Sequence, residues 1–391
     1  MQYSNRENEK EDMKILLITS ERTTGLNYHR QIVPFSNLDI DIHVAPKWND
    51  EFEDSFLKDF TCVSFLRSID LTGKTKEIAD RIHKLGLKIH FDIDDYWMLP
   101  SSHPLYKGYK AQNVQEQVIE ALEVSDFVTT STNHLAIRIK DYNENVYVLR
   151  NAINPEEDQW KIEDVKNDKL RFGYIAGVHH NKDVELLYPN IIKVFKDRTI
   201  LDKFQLCVAG FNVNMYPDGT SQLNPYYKYV EQLFTNNYKS IRDVEYKEYL
   251  KRNTPEQNEL TFDKEYRRLW GLDCFKYGKL YNLIDVSLIP LVQNMFSACK
   301  SELKLIEAGF MKKSVIVSNI NPYDRLADST NALLVNANRN HIDWFINIRK
   351  MINEPNLRED LAAQLYEDVK VKYHIDTVNV ERKQIFEKWL S

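Results

Sequence analysis

Short apolar runs alternate with helix-like stretches along most of this chain, and that alternation is the strongest constraint on its fold. Strand-like runs fall at 14–20, 40–45, 61–66, 88–91, 127–130 and 146–149, with helical stretches at 75–84, 114–123 and 133–140 between them. Strands joined through helices build βαβ units and mostly parallel sheets. The segment 160–170 is polar, charged and without a clear period, and reads as a linker. The series then restarts with a strand at 170–175, a helix at 184–196 and a strand at 204–209. The second half thus repeats the first, which predicts an α/β protein of two Rossmann-like domains with parallel sheets facing a central cleft. The expected boundaries are a disordered leader at 1–12, a first domain at 13–168 and a second at 169–374. An insertion interrupts the second domain at about 212–261, and a helix at 375–391 crosses back to the first.

Composition narrows the partners. The 391 residues carry a net charge of −6, which argues against a nucleic-acid binder that relies on counterion release but allows a local cationic pocket. Cys62, Cys207, Cys274 and Cys299 show neither zinc nor redox spacing, as expected in a reducing compartment. No run reaches the roughly 18 apolar residues a membrane span needs, and the first residues are polar. The expectation is a cytoplasmic protein, at most peripheral at the inner face of a membrane. The insertion carries Tyr216, Tyr226, Tyr227, Tyr229, Tyr238, Tyr246 and Tyr249. It reads equally as a surface for an acceptor or partner and as an elaboration with no ligand.

Four motifs carry chemistry. At 281–319 an apolar strand closed by Pro290 leads through a loop containing Ser297 into a predicted helix running to about Met311, then a second strand at 315–318. On that helix Lys300, Lys304 and Glu307 share one side, while Leu303, Ile306 and Phe310 share another. Two ammonium groups and a carboxylate beyond a strand's carboxyl end suit a phosphate-bearing nucleotide, though a solvated helix face would show the same pattern. The strand at 170–175 is followed by Gly177, His179, His180 and Lys182, a close-approach glycine with donors for anionic oxygen. The strand at 88–91 ends in Asp92, Asp94 and Asp95, beside Tyr96 and Trp97. Those acids suit a divalent metal, a general base or sugar hydroxyls, with the aromatics as a stacking face, or else a solvated turn with one capping Asp. After the first strand, Gly25, Tyr28, His29 and Arg30 lie in a glycine-containing turn without the spacing of a dinucleotide or Walker loop. No metal site is read from the sequence.

Together these segments resemble the GT-B glycosyltransferases, in particular the retaining family called GT4, from about Lys14 to Leu390. The resemblance rests on the Gly25–Arg30 turn, the acids at Asp92, Asp94 and Asp95, and the passage from VSDFVTTSTNHLAIRI to VYVLRNAIN with Asn151. It continues through GYIAGVHHNKD with Lys182, and most specifically through IDVSLIPL…FSACKSELKLIEAGFMKKSVIVSN with Glu307. It implies a GT-B fold and transfer of a sugar, with retention and without a metal or other cofactor. The donor would be a nucleoside-diphosphate sugar, a UDP-sugar first and a GDP-sugar second. The acceptor would be a glycan, a lipid-linked sugar or another hydroxyl. The resemblance implies that Lys182, Lys300 and Lys304 meet the diphosphate and that Glu307 holds the ribose. Asp92, Asp94, Asp95, Gly25, Tyr28, His29 and Arg30 would line the acceptor side or touch the diphosphate, and Gly177, His179, His180 and Ser297 would contact the donor. Lys182, Lys300, Asp92 and Asp94 would be the catalytic set. Many members carry an earlier glutamate on the last segment; here that position is Cys299. Two competing readings are a nucleotide-sugar epimerase on the same fold and a non-catalytic GT-B subunit that partners another glycosyltransferase.

Overall fold

The computed structural model describes residues 13–390 except 20–23, 71, 166, 178–179, 212, 216–220, 224, 236–258 and 262–264. The predicted leader and much of the predicted insertion therefore lie outside the described residues, as does His179. The chain forms two compact units. The first takes in residues up to Ser101, Tyr106–Asn151 and the C-terminal helix Ile375–Leu390; the second takes in Ser102–Leu105 and Ala152–His374.

In the first unit, β1 (Lys14–Ile18), β2 (Asp41–Ala45), β3 (Cys62–Leu66), β4 (Lys88–Ile93), β5 (Phe127–Thr130) and β6 (Val146–Val148) form a parallel sheet in the order β2-β1-β3-β4-β5-β6. Helices α1 (Thr75–Lys84), α2 (Val114–Val124) and α3 (Asn133–Ile139) connect its later strands. The strands are nearly continuous apolar runs because a parallel sheet is covered on both faces. Ile15, Leu17, Phe35, Cys62 and Phe127 form one core with Phe386 and Leu390 of the C-terminal helix. Trp389 stacks on Phe127 with ring centroids 5.3 Å apart, and Asn379 donates to the carbonyls of Pro34 and Asn37 at 2.9 Å each.

In the second unit the main sheet runs β11-β12-β8-β7-β13-β14-β15 among the described residues. Its strands are β7 (Leu170–Ile175), β8 (Phe204–Phe211), β11 (Glu259–Thr261), β12 (Tyr266–Trp270), β13 (Val286–Ile289), β14 (Ser314–Ser318) and β15 (Leu333–Val335). All pair in parallel except β11 with β12. Two short strands, β9 (Val213–Met215) and β10 (Ser221–Leu223), make a separate hairpin. Helices α4 (Asn181–Lys196), α5 (Pro225–Thr235), α6 (Leu303–Phe310), α7 (Asp343–Asn353) and α8 (Pro355–Lys370) complete the unit. One apolar cluster joins Val184, Leu187 and Ile191 of α4 to Phe172, Val208 and Trp344; another joins Leu305 and Ile306 of α6 to Ile289, Val315 and Val369.

Two local expectations are corrected. The single helix expected to run from the loop to about Met311 is instead a short turn, Met295–Ala298, a bend, and then α6. Arg325 Nη2 donates to the Lys300 carbonyl at 3.2 Å, which draws that group out of a helical ladder. Segment 160–170 is not a free linker. Trp160 is buried with its ring edge-on to Tyr277 at 5.7 Å, and the division between units falls earlier, after Asn151.

Candidate functional site

Open parallel sheets bind ligands beyond the carboxyl ends of their strands, where successive connections leave in opposite directions. In the second unit that point lies between β7 and β13, since β8 lies on one side of the pair and β14 on the other. In the first unit it lies between β1 and β3.

At the β7/β13 point the flanking loops are tied together by Asp183 in the first turn of α4. Its Oδ1 accepts from the Val292 backbone N–H at 2.8 Å, and its Oδ2 lies 2.7 Å from His180 Nδ1. Leu291 N–H donates to Ser318 Oγ at 3.0 Å, and Asn294 caps the following turn by accepting from Ser297 N–H at 2.8 Å. Burial would raise the Asp183 pKa, but the His180 contact and the Val292 N–H outweigh it and hold the carboxyl below its ordinary value. An ionised Asp183 accepts, so His180 Nδ1 carries the proton. His180 itself is pushed down to about 4, first by burial and then by the charge of Lys304. Lys304 is pushed down to about 8 by burial, with Lys300 adding to the shift and Asp183 and Glu307 opposing it. Its Nζ lies 5.8 Å from the centre of the buried Tyr174 ring. Lys304 and Lys300 repel one another, and an anion placed between them would relieve that repulsion.

Glu307, one turn along α6 from Lys304, is buried. It accepts from Tyr281 Oη at 2.8 Å and from Tyr277 Oη on its other oxygen. The Tyr281 phenol is pushed well above its ordinary value by burial and by the Glu307 charge, and so remains a donor. The apolar side of this helix packs as expected, with Leu303, Ile306 and Phe310 in one cluster, and burial continues round to the polar side. Leu305, Ile306, Glu307 and Ala308 are all buried, and Gly309 lets α8 approach so closely that a Cβ there would lie 2.8 Å from Val369 Cγ2. Lys300 lies in the bend before α6, with its Nζ 4.6 Å from the Phe296 ring centre. Ser297 is buried, and so is Cys299, at the position where the resemblance would expect a carboxylate. Lys182 stands apart from this cluster. Its side chain is 65% exposed and pairs with Glu185 at 2.9 Å. A side chain at Gly177 or at Gly25 would meet nothing within 4 Å.

In the first unit Arg30 is the centre of a buried network. Its Nε and Nη2 bind the two oxygens of Asp92 at 2.8 and 2.7 Å, and its Nη1 donates to the Leu149 carbonyl and to Asn151 Oδ1. Thr129 Oγ1 also donates to Asp92. Burial would raise the Asp92 pKa, yet the Arg30 charge holds it below the usual carboxylate range. Tyr28 and His29 are buried beside Arg30, ring edge to ring face at 4.8 Å. Asp94 and Asp95 instead meet Arg67 Nη2 at 3.3 and 2.8 Å. Asp94 is pushed up to about 6 by burial and by Asp95 beside it, against the pull of Arg67. Trp97 is buried and packs edge-on against Tyr142, so it offers no open stacking face. Reading the sequence alone missed Arg67, Asp183, Tyr277 and Tyr281. An acid in the first turn of a helix was an available signal for Asp183. None existed for Arg67, whose φ of 62° places it in the left-handed region.

No protein-family profile matches the chain, and no curated protein matches it by sequence. Solved structures do match. HepE from Anabaena, in a structure with UDP and glucose, is 10% identical and aligns over 95% of this chain and 98% of its own, with a TM-score of 0.63. A glycosyltransferase from Rickettsia africae is 12% identical over 97% and 99%, with a TM-score of 0.62. TarM is 15% identical over 85% of this chain and 55% of its own, with a TM-score of 0.53, so the chain spans about half the length of TarM. At such identities the likeness is one of fold: the chain has the GT-B fold, built from two Rossmann-like α/β domains.

Proposed function

We propose that the protein is a glycosyltransferase of the GT4 kind, moving a sugar with retention from a nucleoside-diphosphate sugar to a hydroxyl acceptor, without a metal. The observation that carries this reading is the pair of cations at the β7/β13 switch point, Lys304 and Lys300, beside the Asp183–His180 contact that ties the flanking loops together. Glycosyl transfer leaves a diphosphate on which negative charge grows, and preorganised cations at a poorly hydrated site stabilise it. In this reading Lys304 and Lys300 meet the diphosphate, and Glu307 accepts the ribose hydroxyls. His180 supports them from the residue before α4, and Lys182 joins only by turning away from Glu185. UDP is the first choice of nucleotide, since the HepE structures are described with UDP and with UDP-glucose; a GDP-sugar is the second. In the first unit Arg30 and Asp92 fix the frame, while Asp94 and Asp95 are the carboxylates assigned to acceptor hydroxyls. The acceptor is a glycan or lipid-linked sugar, handled in the cytoplasm or at the inner face of a membrane.

Thermal-shift screening against UDP, GDP, ADP, CMP and their sugars tests this. A ligand at a hundred times its Kd adds about 2.7 kcal/mol to the folded state, enough to raise Tm by several degrees. If none of them stabilises the chain, the transferase reading falls and the non-catalytic subunit takes its place. Turnover of the donor with no acceptor present would favour the epimerase. The same cluster predicts a pH dependence of binding. Lys304, at about 8, loses its proton as pH rises through that value, whereas a bound diphosphate would hold the proton on. Nucleotide affinity measured by calorimetry should therefore weaken above about pH 8, by up to roughly tenfold per unit. A flat profile to pH 9.5 would place Lys304 away from the phosphates.

A further inference from the structure

The two phenols on Glu307 belong to one piece of backbone, the tight 3-10 turn Tyr277–Leu283 that follows the loop after β12. That turn is anchored from segment 152–170. Gly278 N–H donates to Gln159 Oε1 at 3.0 Å, and a Cβ on Gly278 would collide with the Trp160 ring at 2.9 Å. Tyr281 is fully buried, and Tyr277 is half-buried with its ring against Trp160. Each phenol donates to a different carboxylate oxygen of Glu307. Donors on both oxygens fix the plane of the carboxylate. A fixed carboxylate is a matched receptor for two vicinal hydroxyls, because both can donate to it at once without the group first giving up rotational freedom.

We infer that Tyr277 and Tyr281 are positioning residues that set Glu307 to select a cis-diol, so that the site discriminates ribonucleotides from 2′-deoxyribonucleotides. This rests on the reading of α6 as the nucleoside side of a donor site. Neither tyrosine touches the sugar in this account; both act through the carboxylate.

The test is calorimetric titration of the full chain with UDP and 2′-deoxy-UDP, and with GDP and 2′-deoxy-GDP as the second pair. The wild type should prefer the ribonucleotide by about tenfold or more, the worth of one hydrogen bond to a charged group. Tyr277→Phe should weaken ribonucleotide binding and bring that ratio toward one, with 2′-deoxynucleotide binding nearly unchanged. Tyr281→Phe should do the same, and if that variant fails to fold, Tyr277→Phe alone decides. A ratio kept at the wild-type value in a Tyr277→Phe protein of unchanged Tm overturns the inference. So does tighter ribonucleotide binding in that variant, which would show the phenol competing with the ribose. Equal binding of the two nucleotides by the wild type sinks the inference while leaving the transferase reading standing. Binding of no nucleotide at all sinks both.

Discussion

Lys304→Met is expected to lower kcat for sugar transfer by about 10²–10³-fold, the effect of removing one preorganised charge-stabilising donor, about 2.7–4 kcal/mol. The same variant should leave the unliganded Tm unchanged or raise it. Lys304 is held down near 8 chiefly by burial, so at neutral pH its charge opposes folding, and an apolar side chain of similar length removes that opposition. The sign is specific. A structural lysine would lose stability on substitution and leave kcat per folded molecule alone. Lys300→Ala and Glu307→Ala should both abolish the nucleotide-induced thermal shift, and in them the unliganded Tm is again the control. A loss of several degrees in Lys300→Ala, with nucleotide binding intact, would assign its side chain to packing in the bend, where its Nζ lies over the Phe296 ring.

Arg30→Met should be the most damaging single change to the first unit. It leaves the Asp92 carboxylate buried without its partner, and breaking a buried ion pair from one side costs about 3–5 kcal/mol. The pH dependence can be worked out. Asp92 has its folded pKa held below the unfolded value, so its pairing contributes stability above the unfolded value, lost as pH falls through the folded one. In Arg30→Met the carboxyl is no longer held down and takes up a proton more readily. The deficit against wild type should therefore shrink between pH 7 and pH 5. Replacing both partners, as Arg30→Met with Asp92→Leu, should recover most of the loss, because the desolvation cost leaves with the charges. Urea unfolding of the three variants measures this. A double variant as unstable as the single one would mean that the hydrogen bonds from Arg30 to Leu149 and Asn151 matter more than the pair itself.

The parallel strands were legible because each is an apolar run that a covered sheet requires, and β1, β3, β4, β7, β13 and β14 all lie where such runs fall. β12 was not. Its sequence, YRRLW, places two arginines in a central strand, and adjacent charges ordinarily signal a surface. Arg268 is tolerated there because Glu231 of α5 meets it in a pair buried on both sides, and no local pattern announces a partner 37 residues away. The bend before α6 was hidden for the same reason, since the group that interrupts the helix, Arg325, is 25 residues further on. In the candidate site, residue type located Lys304, Glu307 and His180. What each is bonded to, Asp183 for the histidine and two phenols for the glutamate, is a property of the fold.

The core of the first unit is closed by the C-terminal helix, with Phe386 edge-on to both Phe35 and Phe127. A ribosome therefore makes the beginning of that core first and its end last, with the whole second unit in between. Until Ile375–Leu390 has been synthesised, Phe127 and Phe35 lack the aromatic face that covers them. The nascent first half would emerge as a sheet with one side unfinished, and a fragment ending at Asn151 would share that exposed side. Any attempt to isolate this unit has to carry the last helix with it.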